Sequence, residues 1–271
     1  MSTMPSLFIS HGAPTFAMEP GLAGAQLRAL GLALGKPKAV VVVSPHWMTP
    51  GVQITATEKP QTVHDFGGFP RALYDLQYPA PGSPELAVQI QQRLAQTGIT
   101  AQLDLRRGLD HGAWVPLMHL FPEADVPVVQ VSMPFDTDEA KAFALGQALA
   151  PLAQDGVLIV GSGSLTHNLY EFRTGEVQEA SYAKEFSAWV RQAVQSGDMT
   201  RLGQTIELAP HAKRAHPTTE HFLPLLVAAG AASAQRPVTV LNGGIRHGVL
   251  AMESYVFGLQ LELEVLENEH A

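Results

Sequence analysis

The chain has no cysteine, which removes disulfides, thiolate nucleophiles and sulfur metal ligands together. Any metal must therefore be held by His, Asp or Glu. Long apolar runs are also missing. None nears the roughly 20 residues that a bilayer crossing requires, so a membrane is not an expected partner. The opening stretch MSTMPSLFISHG lacks a basic region followed by a long apolar core, and a cytoplasmic location is the expectation. Charge is sparse: 15% of residues are charged and the formal net charge is −8. The acids are spread along the chain and no basic stripe follows them, which argues against nucleic acid as a partner. There is no internal repeat and no low-complexity segment.

What remains is a chain of 271 residues that is 46% hydrophobic, long enough to bury a large core and without a visible internal boundary. Residues 1–271 are read as a single catalytic domain. PSLFIS, KAVVVVSP, ITAQLDL, VPVVQVSMP and VLIVGSG are short β-branched or apolar runs bounded by Gly or Pro, as in strands buried on both faces. Between them, GLAGAQLRALGLALG, PELAVQIQQRLAQTG and DEAKAFALGQALAPLAQDG carry apolar residues at helical spacing, and VPLMHLF reads as a short helix. A helix around ASYAKEFSAWVRQAVQSG, another near residues 217–226, and late strands in RPVTVLNGG and AMESYVFGLQL complete the order. The alternation predicts an α/β fold with a central, largely parallel or mixed sheet flanked by helices.

Three of the eleven histidines fall just past the carboxyl ends of these expected strands: His11 in LFISHG, His46 in VVVVSPHW and His167 in LIVGSGSLTHN. In open α/β sheets that edge is where ligand crevices form. One such histidine alone is more often a hydrogen-bonded loop residue. Three on one edge imply a shared pocket, and the Gly or Pro beside His11 and His46 fixes the backbone that carries them. Neutral imidazole is a common ligand for Zn(II) and Fe(II), and three protein donors leave coordination positions open.

The stretch AHPTTEHFLPLL adds His216, Glu220 and His221. Pro217 suits the first turn of a helix, which puts Glu220 and His221 in that turn with side chains about 100° apart, so only one points into the crevice. His216 and His221 are five apart and do not form the HExxH pair. His221 is favoured as third ligand. Glu220 is the rival, since it would complete a two-His-one-carboxylate set; a helix-capping Glu beside a solvent-facing His is the plainer alternative. GSGS lacks both the Lys-Ser/Thr of a P-loop and the G-x-S-x-G elbow, so Ser164 is read as structural and the turn as one presenting His167.

SHGAP, SPHW, HDFGGFP, YPAPGSPELA, DHGAWVPL, GSGSLTHNL and HPTTEHFLPLL occur in the order seen in the class III extradiol ring-cleavage dioxygenases, and the chain resembles their DOPA 4,5-dioxygenase-like branch from His11 to about Leu226. The resemblance implies an oxidoreductase that opens a catechol ring with O2, beside its two hydroxyls, to a muconate semialdehyde. It implies Fe(II) as cofactor, with Zn(II) found in some members as isolated. It also implies His11, His46 and His221 as metal ligands, where related protocatechuate 4,5-dioxygenases use a glutamate in place of the last. His167 matches the acid/base histidine and His111 in DHGAW a histidine near substrate and oxygen. His64 borders the pocket, and Trp47 is a candidate substrate contact beside His46.

A facial set of three ligands suits this chemistry, because a catechol takes two adjacent positions and dioxygen another. Two other functions stay open. One is a zinc-dependent hydrolase, in which the same ligands would activate water. The other is a non-catalytic metal-binding relative of the same fold. A homo-oligomer is left open, as is the identity of the catechol.

Overall fold

The structure is a computed structural model that describes residues 3–174, 178–232 and 237–262. His270 lies outside them. The strands are β1 (Ser6–Ser10), β2 (Ala39–Thr49), β3 (Val52–Thr55), β4 (Ala101–Asp104), β5 (Val128–Pro134), β6 (Val157–Gly163), β7 (Val238–Leu241), β8 (Ile245–Arg246), β9 (Leu250–Ala251) and β10 (Ser254–Phe257). Eight of them form one sheet in the order β4-β3-β5-β2-β6-β1-β10-β7, while β8 and β9 pair separately. The centre, β5-β2-β6-β1, is parallel. Antiparallel pairing of β3 with β5 and of β10 with β1 and β7 makes the whole sheet mixed.

The larger helices are α1 (Gly21–Leu34), α3 (Pro84–Gln96), α4 (His111–Leu120), α5 (Glu139–Leu149), α6 (Ser181–Ser196) and α10 (Leu223–Ala231). Single turns α2 (Arg71–Tyr74), α7 (Met199–Gly203), α8 (Thr205–Leu208) and α9 (Ala212–Ala215) join them. Strand alternation divides the core. Leu7, Ile9, Val40, Val42, Leu158 and Val160 pack with α1 and α4 on one face. Phe8, Val41, Val43, Val157 and Ile159 pack with α3, α5, α6 and α10 on the other. No helix among the described residues is long and apolar enough to cross a membrane.

Three helix boundaries differ from the sequence reading, each for a local reason. The run expected as one helix after Asp138 ends at Leu149 and continues as a 3-10 turn over Ala150–Asp155, where Pro151 interrupts the α-helical bonding. α4 begins at His111, well before VPLMHLF, because Asp110 caps it by accepting a hydrogen bond from the Ala113 amide. α10 starts at Leu223 rather than near Pro217: Pro224 occupies its first turn, and residues 217–222 form turns before it.

β6 positions the site through VLIVGSG. Gly161 and Gly163 share one face, where a Cβ would collide with the Pro224 and His221 carbonyl oxygens. Only glycine lets the chain around His221 lie this close to the strand, and the Ser164 amide holds the His221 carbonyl at 2.9 Å. Ser162 faces the other way, toward α4.

Candidate metal centre

His11 follows β1 directly, and its amide bonds the Gly163 carbonyl of neighbouring β6 at 2.9 Å. His46 lies inside β2 rather than beyond it, since that strand continues to Thr49 after a register shift between Val43 and Met48. The first turn of α4 comes close to it: a Cβ on Gly112 would stand 2.9 Å from His46 Cδ2 and also overlap Ser44. His221 arrives from the opposite face, just before α10.

These three imidazoles converge. Their ligand atoms all lie within 4.8 Å of one another, and the Nε2 atoms of His11 and His46 are 3.1 Å apart. Two nitrogens each about 2.1 Å from one ion would stand about 3 Å apart in adjacent positions. His221 Nε2 is buried and has no hydrogen-bond partner among the described residues, an arrangement that costs free energy unless something accepts its lone pair. The donor set fits a divalent metal ion.

The outer nitrogens explain the orientation. His221 Nδ1 donates to Glu220 Oε1 at 3.0 Å, and Thr218 Oγ1 donates to the same oxygen at 2.9 Å. Glu220 thus stands behind His221, where a carboxylate fixes the tautomer that leaves Nε2 free. His11 Nδ1 meets Ser162 Oγ at 2.9 Å. His46 Nδ1 is 3.6 Å from Asp65 Oδ2. Burial, reinforced by the mutual repulsion of neighbouring imidazoles, pushes His11 and His221 well below the usual imidazole range. Burial and His111 bring His46 down to about 3, against an opposing pull from Asp65. At neutral pH all three are therefore neutral, the form that binds metal.

His167 lies flat on His221, ring centroids 3.5 Å apart and planes 9° from parallel. Its amide donates to the Ala215 carbonyl at 2.8 Å, fixing the loop. Burial lowers its pKa to about 4, with Glu220 pulling the other way. His111 packs against His46 at 3.9 Å between ring centroids. Asp65 Oδ1 accepts from both the amide and Nδ1 of His111, at 2.9 and 3.0 Å, so Nε2 is the nitrogen left for a ligand. Burial would raise the Asp65 carboxyl, but the hydrogen bonds from His111 prevail and hold it at about 2.

The other sequence candidates are engaged in contacts of their own. His64 Nε2 donates to the Leu76 carbonyl at 2.9 Å, and its ring packs among Phe66, Tyr74 and Trp114. Trp47 is buried under the Arg107 guanidinium, 5.5 Å from its ring centroid. Arg107 in turn donates to the His46 carbonyl at 3.2 Å. His216 stays buried, donating from Nε2 to the Leu165 carbonyl at 2.9 Å. Ser164 donates to the Thr166 carbonyl at 2.8 Å, shaping the turn before His167. Asp65 and Ser162 were passed over in the sequence. Asp65 had a signal, its place beside His64 in HDFGGFP; Ser162 had only its strand-face parity.

Three converging imidazoles at the carboxyl edge of a mixed α/β sheet make a candidate metal centre for an enzyme, and the comparisons with known proteins say which kind. Residues 7–258 match the family of the catalytic LigB subunit of aromatic ring-opening dioxygenases, and the chain belongs to that family as a class III extradiol ring-cleavage dioxygenase, an oxidoreductase. Within it, the chain falls in the DOPA dioxygenase-like branch. It is 39% identical over 258 residues to the 4,5-DOPA dioxygenase extradiol of Escherichia coli K12, covering 94% of this chain and 95% of that one. It is 41% identical over 256 residues to the enzyme of the same name from Beta vulgaris, covering 93% and 96%. The crystal structure of an uncharacterized protein from Escherichia coli K12 superposes with a TM-score of 0.78 at 34% identity, covering 94% of this chain and all of that one (100%).

Proposed function

We propose that this dioxygenase uses Fe(II), held by His11, His46 and His221, to cleave a DOPA-like catechol with O2 to a muconate semialdehyde. The convergence of three neutral imidazoles with the His221 Nε2 lone pair unpartnered carries this reading, and the names of the relatives supply the substrate class. When bound, the ion supplies a Lewis acid that favours the deprotonated catechol and a redox partner for O2. Zn(II) fits the same donors and would occupy the site without supporting oxygen chemistry.

The protein's own groups do the proton work. His167 is neutral at neutral pH and takes a catechol hydroxyl proton, then returns it as acid when the ring opens. His111, anchored through Nδ1 by Asp65, presents Nε2 to the substrate side. His64 and Trp47 serve as substrate-side walls, with Arg107 fixing Trp47. Glu220 keeps His221 in the ligating tautomer.

Anaerobic reconstitution with Fe(II), followed by oxygen uptake across a panel of catechols that includes DOPA, tests the proposal. Uptake with a yellow semialdehyde product is expected, with none from the Zn(II) form. Silence across the panel with Fe(II) bound would refute it. For Glu220, substitution by alanine is expected to weaken metal affinity about 10–100-fold in chelator competition, the usual effect of losing such an outer partner. Glu220→Gln keeps an acceptor for His221 Nδ1 and should lose less; an equal loss would mean that Glu220 itself ligates.

A further inference from the structure

We infer that Ser162 is a positioning residue that fixes the tautomer of His11, and that Pro116 inside α4 leaves the carbonyl that the serine donates to without a helical amide donor. In an α-helix the carbonyl of Gly112 accepts from the amide of residue 116, and proline has no amide hydrogen. Pro116 lies in the interior of α4. The Gly112 carbonyl therefore lacks its helical partner, and the hydroxyl of Ser162 takes the place, donating to that oxygen across the packed face of β6.

A serine hydroxyl has one hydrogen and two lone pairs. Ser162 is fully buried, so its hydrogen is committed: pointed anywhere else, it would leave two oxygen lone pairs facing each other without a proton between them. Its remaining contact, to His11 Nδ1 at 2.9 Å, must then be one in which Oγ accepts. His11 carries its hydrogen on Nδ1 and directs the Nε2 lone pair at His46 Nε2, 3.1 Å away. Two hydrogen bonds, from Ser162 to the Gly112 carbonyl and from His11 Nδ1 to Ser162, thus specify which nitrogen of a strand-end histidine is free to ligate. Ser162 does for His11 what Glu220 does for His221, with a neutral group in place of a charged one. The GSGS stretch is accounted for residue by residue: Gly161 and Gly163 admit the His221 segment, Ser162 orients His11, and Ser164 shapes the turn to His167.

The inference rests on His11 being a metal ligand, and the test separates the two. Imidazole 15N spectra of the metal-free protein, with His11 assigned by its absence in His11→Gln, should show Nδ1–H and an unprotonated Nε2 whose resonance moves when Zn(II) is added. Ser162→Ala should mix the tautomers and weaken Zn(II) binding about 10–100-fold by chelator competition, the range for lost outer-shell partners. A purely structural role for the serine predicts instead that Ser162→Ala keeps Nδ1–H on His11 and binds Zn(II) as tightly as the parent. That result, or Nε2–H on His11 in the parent protein, overturns the inference. Nδ1–H on His11 with no response of Nε2 to Zn(II) overturns the metal reading instead.

Discussion

Replacing His167 by phenylalanine is expected to leave the metal bound and to lower ring cleavage about 10²–10⁴-fold, the range by which a positioned general acid–base group contributes. Three observations set this expectation. The ring lies on His221 at 3.5 Å, close enough to reach a catechol held at the same ion. Its pKa near 4 keeps it neutral, so it can accept a proton at neutral pH. The convergent ligand set of His11, His46 and His221 is complete without it. Phenylalanine keeps the stacked surface that steadies His221 and removes both nitrogens, so the variant separates proton transfer from packing. Metal content and oxygen uptake, measured on the same Fe(II)-loaded sample, decide the matter. Retained metal with a collapsed turnover number fits an acid–base role. Loss of metal would make His167 a fourth ligand through the alternative cluster of His167, Glu220 and His221, and retained turnover would remove it from the mechanism.

The parts of this site that were legible in sequence are those in which one residue type carries its own signal. His11 and His46 stood out because Gly and Pro flank imidazoles at apolar strand ends, and both reach the centre even though β2 continues past His46. The His221 segment was found by composition but misplaced, because Pro217 and Pro224 each fit a helix start and only packing against Gly161 and Gly163 selects the second. Asp65 was overlooked in favour of its neighbour His64, which turns to the Leu76 carbonyl while Asp65 holds His111. Ser162 could not be read at all. Its role rests on contacts with the Gly112 carbonyl and His11 Nδ1, which come from other parts of the chain, and no spacing rule links the three.

The same burial that keeps the imidazoles ready for metal makes the metal-free protein sensitive to acid. His216, which is not among the converging ligands, shows the effect alone. Burial lowers its pKa from 6.5 to about 4, against a partial rescue by the Leu165 carbonyl. Above pH 6.5 the folded and unfolded chains are both neutral there and stability does not change. Between 6.5 and about 4 the unfolded chain binds a proton that the folded chain refuses, so stability falls as pH falls, and the loss levels off below the folded value. That drop in pKa corresponds to on the order of 3 kcal/mol from one residue. His167 at about 4 and His46 at about 3 act in the same direction, as do His11 and His221, which burial holds well below the usual imidazole range. Set against a total stability of about 5–15 kcal/mol, these losses predict that the metal-free protein unfolds between pH 6.5 and 4, as measured by urea denaturation at a series of pH values. His216→Phe should reduce the slope of stability against pH in that window by about 1.4 kcal/mol per pH unit, one proton's worth. Zn(II) should move the unfolding transition to lower pH, because an imidazole bound to metal cannot take a proton until the ion leaves. A metal-free protein whose stability is flat from pH 6.5 to 4 would show that water reaches these rings, and with it the reason for their neutrality would go.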